Sequence, residues 1–245
     1  MRCQLRWGTM TDHEVSASLK VAAELNVSVK VRHYYASLHL WSALHSARLC
    51  REREQTLLQS DVADIEHRVL AISAVTSSVL FLEALVNETF QDAYDDGHGA
   101  SRISVLSASA VAKMQGAWQV AEYQLRTLEK FQLALDFASK PRLDEGAWPF
   151  QTTNTMVKLR NLLIHPKPQW DNLDNGDKFL RTLKTAQGFM ENQQPLGTPW
   201  FPNKALGAGC AGWACDTSKT FANEWLDRLG LSRTYETDIA GFPRP

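Results

Sequence analysis

The chain has 245 residues, of which 44% are hydrophobic and 22% are charged, and these fractions are typical of a soluble globular protein. They exclude wholesale disorder, and the length excludes a very small domain that depends on disulfide bonds for its stability. Lysine and arginine total 26 against 27 acidic residues, a formal charge of -1, so a nucleic-acid partner would have to meet a local basic patch.

Helical periodicity extends over most of the chain. Apolar residues recur at three-to-four spacing in windows that predict helices at about residues 33–56, 61–93, 107–114, 118–140, 152–165, 179–190 and 209–229. Gly116 separates the third predicted helix from the fourth. Between Val69 and Val86 the second helix is apolar on nearly all sides, which is typical of the central helix of a bundle. We therefore predict an all-α protein, a single-domain bundle of about six to seven helices.

Local signals set the ends of two predicted helices. Thr152 or Thr153 can cap the fifth helix, since a threonine hydroxyl accepts a hydrogen bond from the first turn. That helix ends at His165 because Pro166 disfavours helical geometry in the residue before it. Gly230 fits the stop of the last helix.

The predicted elements divide the chain into three parts. Residues 1–60 form an N-terminal helical extension packed on the bundle, residues 61–230 form the bundle itself, and residues 231–245 form a polar tail. The N-terminus lacks the apolar run of a secretory signal, and the longest uncharged stretch, residues 69–82, is too short to cross a membrane. We therefore expect a cytoplasmic protein without a membrane partner.

The cysteine spacing and the absence of common motifs argue against a metal or a cofactor. The four cysteines are scattered, and none forms the Cys-x-x-Cys spacing of a zinc or redox site. Glycine-rich nucleotide-binding signatures and the His-Glu-x-x-His of zinc proteases do not occur. Glu66-His67 lacks the Glu-x-x-His spacing of a di-metal carboxylate bundle. We predict cysteines that are reduced and packed, no bound metal and no cofactor.

The most informative motif is Arg160-Asn161-x-x-x-His165, at the end of the fifth predicted helix. An Arg-x4-His in an all-α chain, with asparagine directly after the arginine, resembles the signature of the HEPN (higher eukaryote and prokaryote nucleotide-binding) family. Two other Arg–His pairs, at positions 6–13 and 32–39, fit the longest spacing that the family tolerates. Neither of them has the Arg-Asn start.

Two further segments carry the same resemblance. Residues 77–88 of the central helix, which include Glu83 and Asn87, are similar to the Leu-Glu-Ala-x-x-Asn-Glu core helix of several bacterial HEPN-like groups. Residues 210–225 are similar to their closing helix. Together the resemblance extends over about residues 65–229 and implies a HEPN-like helical bundle.

The resemblance implies a metal-independent endoribonuclease of a toxin–antitoxin or antiphage defence system, acting as a homodimer with a composite active site. The RNA 2′-hydroxyl would attack the adjacent phosphorus and leave a 2′,3′-cyclic phosphate. His165 is suited to move a proton near neutral pH, and Arg160 to bind phosphoryl oxygens. Asn161 could orient the histidine or contact the substrate. On an ideal helix Arg160 and His165 point about 140° apart, so the helix must unwind at His165 or two helices must meet across a two-fold interface.

Four residues are secondary candidates for contact with RNA. Glu83 and Asn87 lie one turn apart on the same helix face, where they either satisfy buried polar neighbours or contribute to the cleft. Lys158 and Lys167 belong to a local excess of basic residues that could face RNA.

Two alternatives stay open at this stage. One is a catalytically silent HEPN-fold module for binding or dimerisation. The other is an unrelated helical scaffold, in which Arg160 forms a surface ion pair and His165 ends a helix. A cognate antitoxin or a sensor protein would be a further partner.

Overall fold

The computed structural model describes residues 32–95, 101–165, 178–186 and 188–245. Within these ranges the chain forms nine α-helices and one 3-10 helix and no β-strand, so the all-α prediction is confirmed. The helices are α1 (Ala36–Thr56), α2 (Ile65–Asp95), α3 (Ala108–Gln124), α4 (Thr127–Phe137), α5 (Phe150–Ile164), α6 (Lys178–Ala186), α7 (Trp200–Asn203), α8 (Ala208–Leu229) and α9 (Thr234–Ala240), and the 3-10 helix covers Ser101–Ile103.

α2 is the central helix of the bundle. It packs against α1, α3, α4, α5 and α8, and its residues Phe81, Leu82 and Phe90 are fully buried. Because other helices surround it, α2 can be apolar on nearly all sides. Among the described helices, α2 contains an 18-residue window with the length and mean hydropathy (2.1) of a membrane span, but half of that window is buried inside the bundle. The core helix of a soluble protein has the same composition.

α1 lies in the part of the chain that the sequence assigns to the N-terminal extension, and it packs on the bundle. It packs along α2 and contacts α8 and α9, and residues 34–245 form one compact unit. The buried face of α1 consists mainly of small side chains, which let the helix approach its neighbours closely. These buried residues include Ala36, Ala43, Ala47 and Cys50. Residues 1–31 of the predicted extension lie outside the described residues.

The break between the third and fourth helices differs from the prediction. α3 continues through Gly116, because a glycine inside a helix costs only about 1 kcal/mol and does not by itself end it. The interruption lies at Leu125 and Arg126, which are both extended. The Glu129 carboxylate accepts a hydrogen bond from the Arg126 backbone N–H at 2.8 Å. This bond caps α4. The sequence does not reveal the start of α4, because apolar residues recur at helical spacing across the break.

Two glycines are expected to respond in opposite ways to alanine. A Cβ at Gly116 meets no atom within 4 Å, so Gly116→Ala should raise the free energy of unfolding by about 0.5–1 kcal/mol. A Cβ at Gly209, in the first turn of α8, would overlap the Met190 carbonyl oxygen. Gly209→Ala should therefore lower the free energy of unfolding by about 2 kcal/mol or more. Urea denaturation measures both changes, and equal effects would contradict the close contact at Gly209.

α5 begins earlier than predicted and ends where predicted. It starts at Phe150, so neither Thr152 nor Thr153 is its cap. Thr153 is buried, and its hydroxyl donates a hydrogen bond to the Pro149 carbonyl oxygen at 2.9 Å, back along the helix. At the other end, His165 has left helical geometry (φ -123°, ψ 53°). The effect of the following proline is local, which is why the sequence predicts this end correctly.

The C-terminal part of the chain contains a shorter α6 than predicted and two short helices, α7 and α9, that were not predicted. α6 ends at Ala186, so Met190 lies beyond it, and the one-turn helix α7 follows before α8. Gly230 (φ 74°) ends α8, and the N–H of Leu231 donates to the carbonyl oxygen of Leu226 at 2.9 Å. This is the predicted glycine stop, and Leu231 adds a hydrophobic residue directly after it.

An aromatic cluster joins α4, α5 and α8. The Phe131 ring packs edge-on against Phe221 (4.9 Å between centroids) and Trp225 (4.7 Å). Phe150, at the start of α5, packs against Phe221 at 6.0 Å. Trp225 Nε1 also donates a hydrogen bond to the Phe131 carbonyl oxygen at 3.0 Å. The cluster fixes α5, which carries the predicted catalytic residues, against the rest of the core.

Residues 231–245 are more ordered than their polar composition indicates, since they contain α9. Tyr235 of α9 is buried, and its ring lies edge-on to Phe81 of α2 with 5.0 Å between centroids. Beyond α9, the Pro243 carbonyl oxygen accepts a hydrogen bond from Trp41 Nε1 of α1 at 2.7 Å. The buried side chains of Leu231 and Tyr235, the partly buried Ile239 and a few backbone contacts hold this segment. These few apolar residues leave the average composition of the segment polar.

Candidate functional site

Arg160 of α5 and Glu83 of α2 are in direct contact. Arg160 Nη2 donates to Glu83 Oε1, and the paired side chains are 13% and 28% exposed. The Thr127 hydroxyl of α4 donates to the same carboxylate oxygen at 3.2 Å. Among the described residues, the buried Nε–H of Arg160 has no hydrogen-bond acceptor. The ion pair therefore fixes Arg160 where α2, α4 and α5 meet, and leaves part of its guanidinium unsatisfied.

Asn87, one turn after Glu83 on α2, binds a different cation. Lys130 Nζ of α4 donates to Asn87 Oδ1 at 2.9 Å and to the Glu122 carbonyl oxygen at 3.2 Å. Burial lowers the pKa of Lys130, and the charge of Glu122 opposes this shift to a smaller extent. The structure thus brings Glu83 to Arg160, and Asn87 to a buried lysine.

The other predicted residues of α5 are at the surface. Lys158, Asn161 and His165 are exposed. The backbone N–H of His165 donates to the Asn161 carbonyl oxygen at 3.0 Å, which closes the last turn before the chain leaves the helix. Lys167 lies outside the described residues, so its role stays a prediction.

Arg160 and His165 have different surroundings within one chain. Arg160 is turned towards Glu83 and the bundle, whereas His165 is exposed at the end of the helix. Burial lowers the pKa of the Arg160 guanidinium, but an arginine stays charged at any pH near neutrality. A site that uses both side chains therefore combines a fixed, half-buried charge with an accessible imidazole.

A cavity of about 320 Å³ lies between the start of α4 and the middle of α5. Thr127, which contacts the same carboxylate as Arg160, lines it, and so does Val157, three residues before Arg160. Two arginines and two glutamates also line the cavity: Arg126, Arg142, Glu129 and Glu145. The cavity thus adjoins the half-buried arginine of α5, and its wall carries charges of both signs.

A second polar cluster, which the sequence does not predict, lies where α1, α2 and α8 meet. The buried Glu54 carboxylate accepts hydrogen bonds from His67 Nε2 (2.8 Å) and from the backbone N–H groups of Gln193 (3.0 Å) and Ala208 (2.7 Å). Burial raises the pKa of Glu54, but the hydrogen bonds, led by that of His67, outweigh it and lower the pKa overall. The Asp64 carboxylate accepts the His67 backbone N–H at 2.8 Å and caps the start of α2.

Cys50 adjoins this cluster. Its sulfur, a carboxylate oxygen of Glu54 and a ring nitrogen of His67 lie within 4.8 Å of one another, and all three residues are buried. Burial, with a smaller contribution from Glu54, raises the pKa of Cys50 to about 12. In the part of the chain that the structure describes, this group has the residue types and spacing to hold a metal ion. Cysteine spacing does not reveal it, because the ligand types are mixed and His67 joins through packing of α2 on α1.

Because of the hydrogen bonds to Glu54, we expect the free energy of unfolding to fall at acidic pH. Because its folded-state pKa lies below the ordinary 4.5, Glu54 contributes fully above that pH, and the contribution is lost as the pH falls through the folded-state pKa. Wild type should therefore exceed Glu54→Gln in free energy of unfolding by an amount that shrinks between about pH 6 and pH 3. Chemical denaturation across this range measures the difference, and a constant difference would contradict the lowered pKa.

Comparisons with known proteins identify no relative from which a function could be inferred. No protein-family model matches this chain, and no curated protein or solved structure is significantly similar to it. Function must therefore be argued from the contacts of Arg160 and His165 and from the motif they form.

Proposed function

We propose that this protein is a metal-independent endoribonuclease of the HEPN type, with Arg160 and His165 as its catalytic residues. In the reaction, the RNA 2′-hydroxyl attacks the adjacent phosphorus and the 5′-oxygen of the next nucleotide leaves. The products end in a 2′,3′-cyclic phosphate and a 5′-hydroxyl. His165 accepts or donates the proton that moves, and Arg160 stabilises the charge that grows on the phosphoryl oxygens.

The setting of Arg160 is the observation that carries the proposal. Its guanidinium is mostly buried, is held by Glu83 and has a buried Nε–H without an acceptor among the described residues. If neighbouring side chains move to admit the substrate, a phosphoryl oxygen would supply that acceptor through a charge-assisted hydrogen bond. An arginine that is already fixed loses little conformational entropy when the substrate arrives, and low solvent exposure strengthens its interaction with an anion.

The surface residues of α5 supply the remaining parts. His165 is exposed where the helix unwinds, so its ring is accessible to a ribose hydroxyl or a leaving oxygen. Asn161 is exposed one turn earlier and can orient the ring or contact the substrate. Lys158, also exposed, and Lys167 add positive charge for the RNA backbone.

Within one chain, Arg160 is turned towards the bundle and His165 is exposed at the end of α5, so the two side chains do not face the same point. This arrangement favours a homodimer as the active form. If two α5 helices meet across a two-fold axis, His165 of one protomer can approach Arg160 of the other. Ile164, 40% exposed beside His165, offers apolar surface for such a contact. We propose a cytoplasmic toxin or antiphage effector with this composite site, controlled by an antitoxin or a sensor protein.

Growth and cleavage assays test the proposal. Induction of the wild-type chain in a bacterial host should stop growth. The purified protein should cut total RNA to fragments with 2′,3′-cyclic phosphate ends, and cleavage should persist in EDTA, which removes Mg²⁺ from the reaction. RNA that stays intact at every protein concentration would overturn the proposal.

A catalytically silent module of the same fold is the second candidate. The Arg160–Glu83 ion pair favours it, because the carboxylate occupies one side of the guanidinium that a phosphate would otherwise bind. A silent module would bind RNA or a second copy of itself without producing fragments. An unrelated scaffold, in which the ion pair only joins α2 to α5, would do neither.

A further inference from the structure

We propose that Cys50, Glu54 and His67 form a zinc site that joins α1 to α2 beside the start of α8. Together they offer a thiolate sulfur, a carboxylate oxygen and an imidazole nitrogen, a mixed set that Zn²⁺ binds in proteins. The three ligand atoms already lie within 4.8 Å of one another. Tetrahedral zinc needs its ligand atoms about 3.5 Å apart, so small side-chain movements close the group around an ion.

Neighbouring groups hold the ligands in position. Cys50 and Glu54 are one turn apart on the same face of α1. The backbone N–H groups of Gln193 and Ala208 each bind one oxygen of Glu54, so the carboxylate cannot rotate freely. His67 lies in the first turn of α2, where its backbone N–H bonds to a capping carboxylate. Hydrogen bonds of this kind fix the orientation of ligating groups and strengthen metal binding.

Charge balance favours an ion at this buried position. Zn²⁺ would take the place of the hydrogen bond between Glu54 Oε2 and His67 Nε2, and would displace to solvent the thiol proton that Cys50 now donates to the His67 carbonyl oxygen. With its ring proton on Nδ1, His67 binds as a neutral imidazole through Nε2. One thiolate and one carboxylate balance the two positive charges of the ion. The site becomes electrically neutral, which removes the cost of burying an unbalanced charge.

A cavity of about 540 Å³ lies beside the group and is lined by Glu54, together with Arg51, Trp213 and Asp216. Cys50 and His67 do not line it, so an ion that enters from this side meets the Glu54 carboxylate first. The zinc site is separate from the proposed RNA site. His67 and Glu83 are 16 residues apart on α2 (83 minus 67), which is about 24 Å along the helix axis. The ion therefore stabilises the fold and takes no part in RNA cleavage.

Titration with Zn²⁺ and Co²⁺ tests the proposal on the full chain after metal removal. The protein should bind one equivalent of Zn²⁺, and its thermal midpoint should rise by about 5–10 °C at roughly 100 times the dissociation constant. Co²⁺ should give thiolate-to-cobalt charge-transfer absorption in the near ultraviolet and the visible bands of tetrahedral cobalt. Less than about half an equivalent of Zn²⁺, or cobalt without the thiolate band, would overturn the proposal.

Two cysteine variants locate the thiolate ligand. Cys50→Ser should lose the charge-transfer band and the thermal shift, whereas Cys215→Ser, at another buried cysteine outside the group, should keep both. A band that persists in Cys50→Ser would overturn the proposal, because the thiolate would then come from another cysteine. The wild-type titration decides the question even if Cys50→Ser does not fold. These readouts do not measure RNA cleavage. The cleavage assay in EDTA is run below the thermal midpoint of the metal-free protein, so either proposal can fail without the other.

Discussion

Replacement of His165 with alanine should lower the rate of RNA cleavage by about 10²- to 10⁴-fold and leave the stability of the fold nearly unchanged. The substitution removes the group that moves the proton. His165 is exposed, and its backbone N–H, which bonds to the Asn161 carbonyl oxygen, is still present in alanine. The value of kcat/KM on a short RNA with one cleavage site measures the first effect, and urea denaturation measures the second.

Two further variants control this experiment. His33→Ala removes another exposed histidine, outside α5, and should cleave RNA like wild type. Arg160→Lys keeps the positive charge but loses the planar fork that binds two phosphoryl oxygens, so its kcat should fall. Full activity of His165→Ala would mean that a different group moves the proton, and the assigned role would be wrong.

Mixing the two impaired variants tests the composite site. In a heterodimer of Arg160→Lys with His165→Ala, one of the two sites combines an intact arginine from one chain with an intact histidine from the other. The mixture should therefore regain activity that neither variant has alone. No gain after subunit exchange, verified by a size or mass measurement of the heterodimer, would place both residues of a site in the same chain.

Truncation of Trp225 to alanine should lower the free energy of unfolding by about 3–5 kcal/mol. Trp225 is fully buried, and its ring centroid lies 4.7 Å from that of Phe131. Its Nε1 donates to the Phe131 carbonyl oxygen at 3.0 Å. Alanine would leave a cavity between α4 and α8 and a buried carbonyl that has lost this donor.

Trp225→Phe separates these two contributions. Phenylalanine keeps much of the apolar contact but loses the indole N–H, so the expected loss is smaller, about 1–3 kcal/mol. Chemical denaturation of the two variants and of wild type gives the comparison. If Trp225→Ala lost less than about 1 kcal/mol, the side chain would not be packed as the structure has it.

Local and compositional signals predict much of this fold. The position of α2 follows from its sequence, because only a helix with neighbours on most sides can be apolar all round. The end of α5 follows from Pro166 for a purely local reason. The division between α3 and α4 does not, since Gly116 is tolerated within the helix. The backbone breaks at the cap formed by Glu129, but apolar residues keep their helical spacing in the sequence on both sides of it.

The candidate site is less predictable, because it depends on which helices cross. Glu83 and Asn87 look equivalent in the sequence, one turn apart on one face. Packing distinguishes them, since α5 brings Arg160 to Glu83 and α4 brings Lys130 to Asn87. The group around Glu54 is harder still to predict, because backbone N–H groups of distant residues complete it, and a backbone group leaves no signature in residue type.

The links of α1 and α2 to α8 also bear on how the chain folds while it is synthesised. Glu54 bonds to the N–H groups of Gln193 and Ala208, and α2 packs on α8, so these contacts wait for the last quarter of the chain. Until then a helix with an 18-residue stretch of mean hydropathy 2.1 is only partly covered by its neighbours. We expect nascent chains that stop before Ala208 to stay bound to a holding chaperone, and longer chains to be released as α8 docks.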